Sequence, residues 1–267
     1  MERVYDTLIV SDLHLGSEVS RARDAKCMLR QNRFRRLILL GDIFSDLNFG
    51  RLTKEHWQFL GYIRKLSNPK RNVEVVWVEG NHDQGLSDVM SHLVGVKVYQ
   101  EYAWEFDRHR HLAIHGHQFD HFVLNNAFLS RLSSFLHLVL QKIDIKGKYF
   151  SRLADRLGTR WLRLTANVSG GAIARARAVH AGRVFCGHTH AALHIERDGV
   201  SYYNSGSWID EHPTYITIDE EGVRIQEYVE APDLRDLDES IDHDLVSPEL
   251  LEDTPLLEEQ EYEGVGR

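Results

Sequence analysis

Short apolar runs punctuate the first half of the chain, and each stops abruptly at a polar cluster. Thr7-Leu8-Ile9-Val10 gives way to Ser11-Asp12-Leu13-His14-Leu15-Gly16. Leu37-Ile38-Leu39-Leu40 ends at Gly41-Asp42, and the run over residues 73–78 ends at Gly80-Asn81-His82-Asp83. Leu112-Ala113-Ile114 ends at His115-Gly116-His117. Runs this short and this apolar read as strands buried on both faces. Between them the spacing is helical. Ala22, Ala25, Met28 and Leu29 recur at three and four, and Trp57, Leu60 and Ile63 mark one face of a helix over residues 53–66 that Pro69 stops. A short helix over 88–94 has Gly95 at the place of a C-cap. Strand, polar loop and helix in repetition predict an α/β domain with a mostly parallel central sheet.

From residue 121 the pattern changes. Phe128, Leu132, Phe135, Leu136, Val139 and Ile143 recur at helical spacing, Gly147 interrupts, and Leu153, Leu157, Trp161 and Leu164 continue. Residues 121–180 therefore read as a helical insertion lying over the polar strand ends. The strand Val184-Phe185-Cys186 follows and ends at Gly187-His188-Thr189-His190. In an extended backbone residues i and i+2 point to one side, so the two imidazoles can face one centre. Two alternating runs, 193–203 and 214–229, carry Asp198-Gly199 and Glu221-Gly222 at their middles and read as hairpins.

Charge refines the division. The net charge of −8 is unevenly placed. Residues 230–267 hold 14 Asp/Glu against 2 Lys/Arg, so the tail carries −12 and the body +4. Few aromatics accompany that acid, which predicts a disordered tail over 231–267 after one domain over 1–230. Cys27 and Cys186 are isolated and read as reduced thiols. No signal peptide opens the chain and no apolar stretch reaches the ~20 residues of a spanning helix, so a cytoplasmic protein is expected.

Sixteen histidines need a reason. His109 and His111 flank the fourth strand and read as surface residues, and His137 as packed. The others gather at strand ends. Taken singly, an Asp-x-His is a turn and a Gly-Asp a strand exit. Together the polar ends Asp12-x-His14, Gly41-Asp42, Gly80-Asn81-His82-Asp83, His115 and Gly187-His188-x-His190 converge on one rim of one sheet. In open α/β sheets that rim, at the carboxyl ends of the strands, is where ligands gather. Carboxylate, imidazole and one amide oxygen suit Mn2+, Fe2+ or Zn2+ better than Ca2+ or copper. A pair of ions needs a bridging anion, which a carboxylate supplies.

These five motifs, in this order over roughly residues 7–215, resemble the calcineurin-like metallophosphoesterases, with their D-x-H, G-D, G-N-H-[DE], a later H and G-H-x-H. The resemblance implies an α/β, two-sheet metallophosphoesterase sandwich flanked by helices, with the helical cap insertion 121–180 and a disordered acidic C-terminal tail. It implies two divalent metal ions, Mn2+ first and Fe2+ or Zn2+ as alternatives. Asp12, His14, Asp42 and His190 would bind the first metal. Asp42 would bridge to the second, completed by Asn81, His115 and His188. A hydroxide between the metals would attack phosphorus in line, with His82 at the leaving group and Asp83 orienting it. Ser45 stands where the family often has an acidic or polar residue supporting the ligands. Asn204-Ser205-Gly206-Ser207 resembles the family's small-residue loop packed close to the metals.

Within the family the chain is most similar to the UDP-2,3-diacylglucosamine pyrophosphatases and their paralogues, by size, by the His115-Gly116-His117-Gln118-Phe119-Asp120 segment and by the insertion. It departs from the best-studied branch at His82, where that branch has Arg, and at His117, where Asp is usual. The implied function is hydrolysis of a phosphoanhydride in a nucleotide-linked lipid precursor, giving UMP and a lipid sugar phosphate. The expected substrate contacts are His117, Asp120, His121, Arg163 and Asn167. The insertion carries ten basic residues against Asp144 and Asp155, beside apolar helix faces, which fits a lipid-linked phosphate and peripheral contact with the inner face of the cell membrane. No nucleic acid or protein partner is expected. The alternatives are a soluble phosphomonoesterase or cyclic nucleotide phosphodiesterase, and a non-enzymatic scaffold on a degenerate phosphoesterase fold, against which the full set of ligand residues argues.

Overall fold

The structure is a computed structural model that describes residues 3–85, 87–120 and 150–230. The first half of the expected insertion, with His121 and His137, and the acidic tail lie outside the described residues. All elements described below fall in the compact unit Met1–Tyr228.

Among the described residues, eleven strands form two mixed sheets. The strands are β1 (Val4–Val10), β2 (Arg33–Leu40), β3 (Glu74–Val78), β4 (Val98–Tyr99), β5 (Glu101–Phe106), β6 (His109–Ile114), β7 (Arg183–Cys186), β8 (Leu193–Arg197), β9 (Val200–Asn204), β10 (Thr214–Asp219) and β11 (Gly222–Glu227). The first sheet runs β11-β10-β1-β2-β3-β4 and the second β5-β6-β7-β9-β8. In the first, β1 to β4 are parallel, as the strand–helix alternation requires, and β10 and β11 add an antiparallel edge. In the second, β6, β7 and β9 are parallel between antiparallel edges. The expected single, mostly parallel sheet is thus the centre of one of two. The Asp198-Gly199 turn between β8 and β9 has both residues at positive φ, 54° and 74°, the backbone of a tight hairpin.

Strand alternation sorts the core into layers. Leu8 and Val10 of β1, Leu37 and Leu39 of β2, and Trp77 of β3 face three helices, α1 (Ala22–Gln31), α2 (Lys54–Leu66) and α3 (Ser87–Val94). Their alternates, Ile9, Ile38, Leu40, Val76 and Val78, meet Ala113, Phe185 and Tyr203 of the second sheet. That sheet's far face, with Leu112, Ile114, Val184 and Tyr202, packs on Ala172, Ile173 and Ala176 of α4 (Phe150–Ala178). Burial of each such aliphatic side chain contributes about 1.5–3 kcal/mol. Every central strand is buried on both faces, so its apolar run is continuous and its first polar residue marks the rim.

Two expectations about surface change. Trp57 is half exposed, because the buried stripe of α2 is His56, Phe59, Leu60, Ile63 and Leu66, one step round the helix. His111 is fully buried, because β6 starts at His109 and alternation turns residue 111 inward. There it stacks on Trp104, with ring centroids 4.9 Å apart. Burial, with the nearby Arg183 cation, pushes its pKa down to about 4. Between pH 6.5 and about 4 the unfolded chain holds a proton that the fold rejects, so stability falls as pH falls, by about 2 kcal/mol at pH 5. His111→Phe is expected to remove that share, which thermal melts from pH 7 to pH 5 would register as a shallower loss of Tm than in the unsubstituted protein. Equal slopes would mean that His111 does not carry the acid sensitivity.

Candidate metal centre

The carboxyl ends of β1, β2 and β3 in one sheet and of β6, β7 and β9 in the other open on a common rim. The loops there are tied by backbone bonds: Asp12 N–H to the Gly41 carbonyl, His14 N–H to that of Asp42, Gly187 N–H to that of His115, and Trp208 N–H to that of Asp12, each 3.0–3.1 Å. Five residues of these loops hold positive φ without being glycine: Asp12 at 52°, His14 at 49°, Asp42 at 51°, His188 at 66° and His190 at 57°. Such conformations cost of order 1 kcal/mol or more each and persist only where the surroundings impose them. They turn every one of these side chains toward the same space. Glycine makes the approach feasible. A Cβ at Gly41 would run into the His115 ring, at Gly80 into Asp42, and at Gly187 into the Asp12 carboxylate.

Asp12 and His14 come together with His190, 176 residues from His14. Asp12 Oδ1 is 3.2 Å from His190 Nε2 and 3.9 Å from His14 Nε2, and the two histidine nitrogens are 3.3 Å apart. The other oxygen, Oδ2, is occupied by the Ser11 hydroxyl and by the His188 amide at 3.1 Å. Asp42 is built alike. Its Oδ1 accepts from the His82 amide at 2.9 Å, while Oδ2 faces His115 Nε2 at 3.3 Å and His82 Nε2 at 4.0 Å. Among the described residues, three sets of donor atoms each fall within 4.8 Å: Asp12, His14 and His190; His14, Asp42 and His82; and Asp42, His115 and His188.

The donor set fits a pair of cations. Asn81 Oδ1 and His115 Nε2 are buried with no hydrogen-bond partner. The His115 Nδ1–H donates to the Leu40 carbonyl at 2.9 Å, so its unpartnered nitrogen is the one aimed at Asp42. Carboxylate oxygens, imidazole nitrogens and one amide oxygen crowd together here, an arrangement that a cation satisfies. Charge follows the same geometry. Asp42 resists the upward push of burial and is held well below the carboxylate range by His115 and His82. His115 resists burial's downward push and is raised to about 9 by Asp42, whereas burial takes His14 down to about 3. A cation entering beside His115 must therefore displace a proton.

The sequence-derived roles fare unevenly. Asp83 does not touch the His82 ring. Its carboxylate accepts from the amides of Ile43 at 3.1 Å and Phe44 at 2.9 Å, which holds the loop after Asp42, and burial with the neighbouring Asp42 raises it to about 6. His82 is oriented by the Ser45 carbonyl, 2.7 Å from Nδ1. Because the backbone supplies that contact, the departure at Ser45 leaves it intact. His117 is buried beside His115, ring centroids 5.5 Å apart, and burial followed by the His115 and His188 charges lowers it to about 3. Asp120, expected to contact substrate, faces His188 Nε2 at 3.3 Å. Asn167 is exposed on α4, and His121 and the Arg163 side chain lie outside the described residues. Arg175 and Arg177, two of the insertion's ten basic residues, pair with Glu101 and Asp198.

Ser11 escaped the sequence reading. Its buried hydroxyl lies 2.7 Å from Ser205 Oγ and 3.1 Å from the Gly206 carbonyl. Asn204 Nδ2 donates to the Gly187 carbonyl at 2.6 Å. The small-residue loop thus braces Asp12 and the Gly187 turn from behind. The signal was a serine directly before the first aspartate, which reads equally well as the end of a strand.

The calcineurin-like phosphoesterase family matches residues 5–192. No curated protein matches the chain. Similar solved structures include a novel archaeal phosphodiesterase, 17% identical with a TM-score of 0.44, covering 83% of this chain and 98% of its own. Yfce, a phosphoesterase from E. coli, is 14% identical with a TM-score of 0.46, covering 81% and 90%. Vacuolar Protein Sorting 29 from Cryptosporidium parvum is 14% identical with a TM-score of 0.44, covering 85% and 99%.

Proposed function

This chain belongs to the calcineurin-like phosphoesterase family, and we propose that it is a dinuclear metal-dependent phosphohydrolase that cleaves a phosphoanhydride in a nucleotide-linked lipid precursor. One observation carries the two-metal reading: Asp42 belongs at once to a donor set with His14 and to another with His115 and His188. Asp12, His14, Asp42 and His190 would hold one cation, and Asp42, Asn81, His115 and His188 the other. Mn2+ is the proposed metal, with Fe2+ or Zn2+ acceptable to the same donors.

When bound, the cations supply Lewis acidity, polarising phosphoryl oxygens and lowering the pKa of water. The chain's own residues do the rest. Ser11 and the His188 amide hold Asp12, and the His82 amide holds Asp42, so each carboxylate meets its cation already oriented. The His82 Nδ1–H is committed to the Ser45 carbonyl, which leaves Nε2 as the atom that hands a proton to the departing oxygen. His117, dry and neutral beside this rim, is a group that can contact substrate without adding charge.

The lipid-linked substrate is supported by the composition of residues 121–180, ten basic residues interleaved with apolar ones that recur at three and four. Among the described residues no helix is long and apolar enough to cross a membrane. The contact with a lipid surface that we propose is peripheral, through basic side chains of residues 121–180. With Mn2+ present, UDP-2,3-diacylglucosamine is expected to be hydrolysed at least about tenfold faster than UDP-N-acetylglucosamine, since even one seated methylene is worth that much. Equal rates would replace the lipid reading with a soluble phosphomonoesterase or cyclic nucleotide phosphodiesterase.

A further inference from the structure

We infer that Asp120 is a positioning residue for the second cation, acting through His188. The inference rests on the reading of Asp42, His115 and His188 as that cation's ligands. Asp120 is 5% exposed, and its Oδ2 lies 3.3 Å from His188 Nε2. A carboxylate there accepts the Nε2–H, so the imidazole's lone pair is confined to Nδ1. It also fixes the ring's rotation. His188 has particular need of such a partner, because its backbone sits at φ 66° and its amide is already spent on Asp12. The other two oriented imidazoles use carbonyls: His115 that of Leu40 and His82 that of Ser45. Among the described residues, Asp120 gives a site histidine a carboxylate partner without belonging to a donor set itself.

The carboxylate is held in place by the turn that ends at it. Gly116, at φ 113°, begins a single 3-10 turn over His117–Phe119, closed by Phe119 N–H to the Gly116 carbonyl at 3.0 Å and Asp120 N–H to that of His117 at 3.1 Å. Phe119 lies against Gly171 of α4 so closely that a Cβ there would enter its ring. Asp120 thus links the second cation position to the seat of α4. Gly171→Ala should displace Phe119 and, through it, Asp120.

The test is calorimetric titration of the metal-stripped protein with Mn2+. The unsubstituted protein is expected to take two ions. In Asp120→Ala the carboxylate partner of His188 is lost, and affinity at one position should fall roughly 10–100-fold while the other stays unchanged. Asp120→Asn keeps the shape and an acceptor oxygen, so it folds as the parent does and should fall less. Gly171→Ala should weaken the same position. A Co2+-loaded sample should show the altered ligand field at that position alone. Two ions bound with unchanged affinities in Asp120→Asn and Asp120→Ala would overturn this inference and leave the two-metal reading standing. Equal weakening of both positions would likewise overturn it, by reducing Asp120 to general packing. An unsubstituted protein that binds no second ion would overturn the two-metal reading and this inference with it.

Discussion

Asp42→Ala is expected to abolish phosphodiester and phosphoanhydride hydrolysis in the presence of Mn2+, by at least about 10³-fold in kcat, the scale of loss when a group that stabilises developing charge is removed. No other side chain in the described residues sits in two donor sets through a carboxylate. Its Oδ1 is fixed by the His82 amide, and Oδ2 stands between His115 and His82. Without it His115 loses the charge that raises its pKa, and neither cation keeps its shared ligand. Metal content should fall below two per chain. Loss of activity through unfolding would be a trivial result, so Asp42→Asn serves as the companion. It preserves the shape and the Oδ1 contact while removing the charge, and it too should be inactive while the metal-free protein still melts cooperatively as a folded protein. Retained turnover in either variant would sink the assignment of Asp42 as the bridge.

His82 should behave differently. His82→Ala is expected to lower kcat roughly 10²–10⁴-fold for substrates with a poor leaving group, the usual worth of a placed acid. With p-nitrophenolate, which leaves without a proton, the loss should shrink. Metal binding should survive, because the His82 Nδ1–H is committed to the Ser45 carbonyl and its Nε2 is 4.0 Å from Asp42 Oδ2, farther than His115. The contrast matters because His82 also falls within 4.8 Å of a donor set with His14 and Asp42. A variant that loses one metal ion, with the same loss for good and poor leaving groups, would make His82 a ligand instead of the acid.

The rim was legible in the sequence because the chemistry there is incompatible with the core around it. Asp12, Asp42, Asn81, His115 and His188 each follow an apolar run buried on two faces, so the change of character marks both a strand end and a candidate ligand. What acts from behind that rim was not legible. Ser11 reads as a strand exit until Ser205, 194 residues away, is beside it. Asp120 reads as a substrate contact until the turn at Gly116 brings it to His188, 68 residues on. Asp83, next to His82 in sequence, reads as its partner, whereas the tight loop after Asp42 turns the carboxylate onto backbone amides.

Strand boundaries account for the errors in burial. A strand that starts before its apolar run places His111 inside the fold, and no composition signal separates that histidine from the exposed His109. The insertion's net charge is legible only in part for a related reason. Arg175 and Arg177 meet Glu101 of β5 and Asp198 of the β8–β9 turn, contacts distant in sequence that a local count of basic residues omits. Pairs this exposed are screened by solvent and leave the cations only partly engaged.

The most direct test of the two-metal centre joins binding to turnover in one titration. The protein is stripped with a chelator, Mn2+ is returned stepwise, and bis(p-nitrophenyl) phosphate hydrolysis is followed alongside bound metal. The stripped protein should be inactive, two equivalents should bind, and activity should rise with the second. Full activity in the stripped protein, or activity that saturates at one bound ion, would contradict the account.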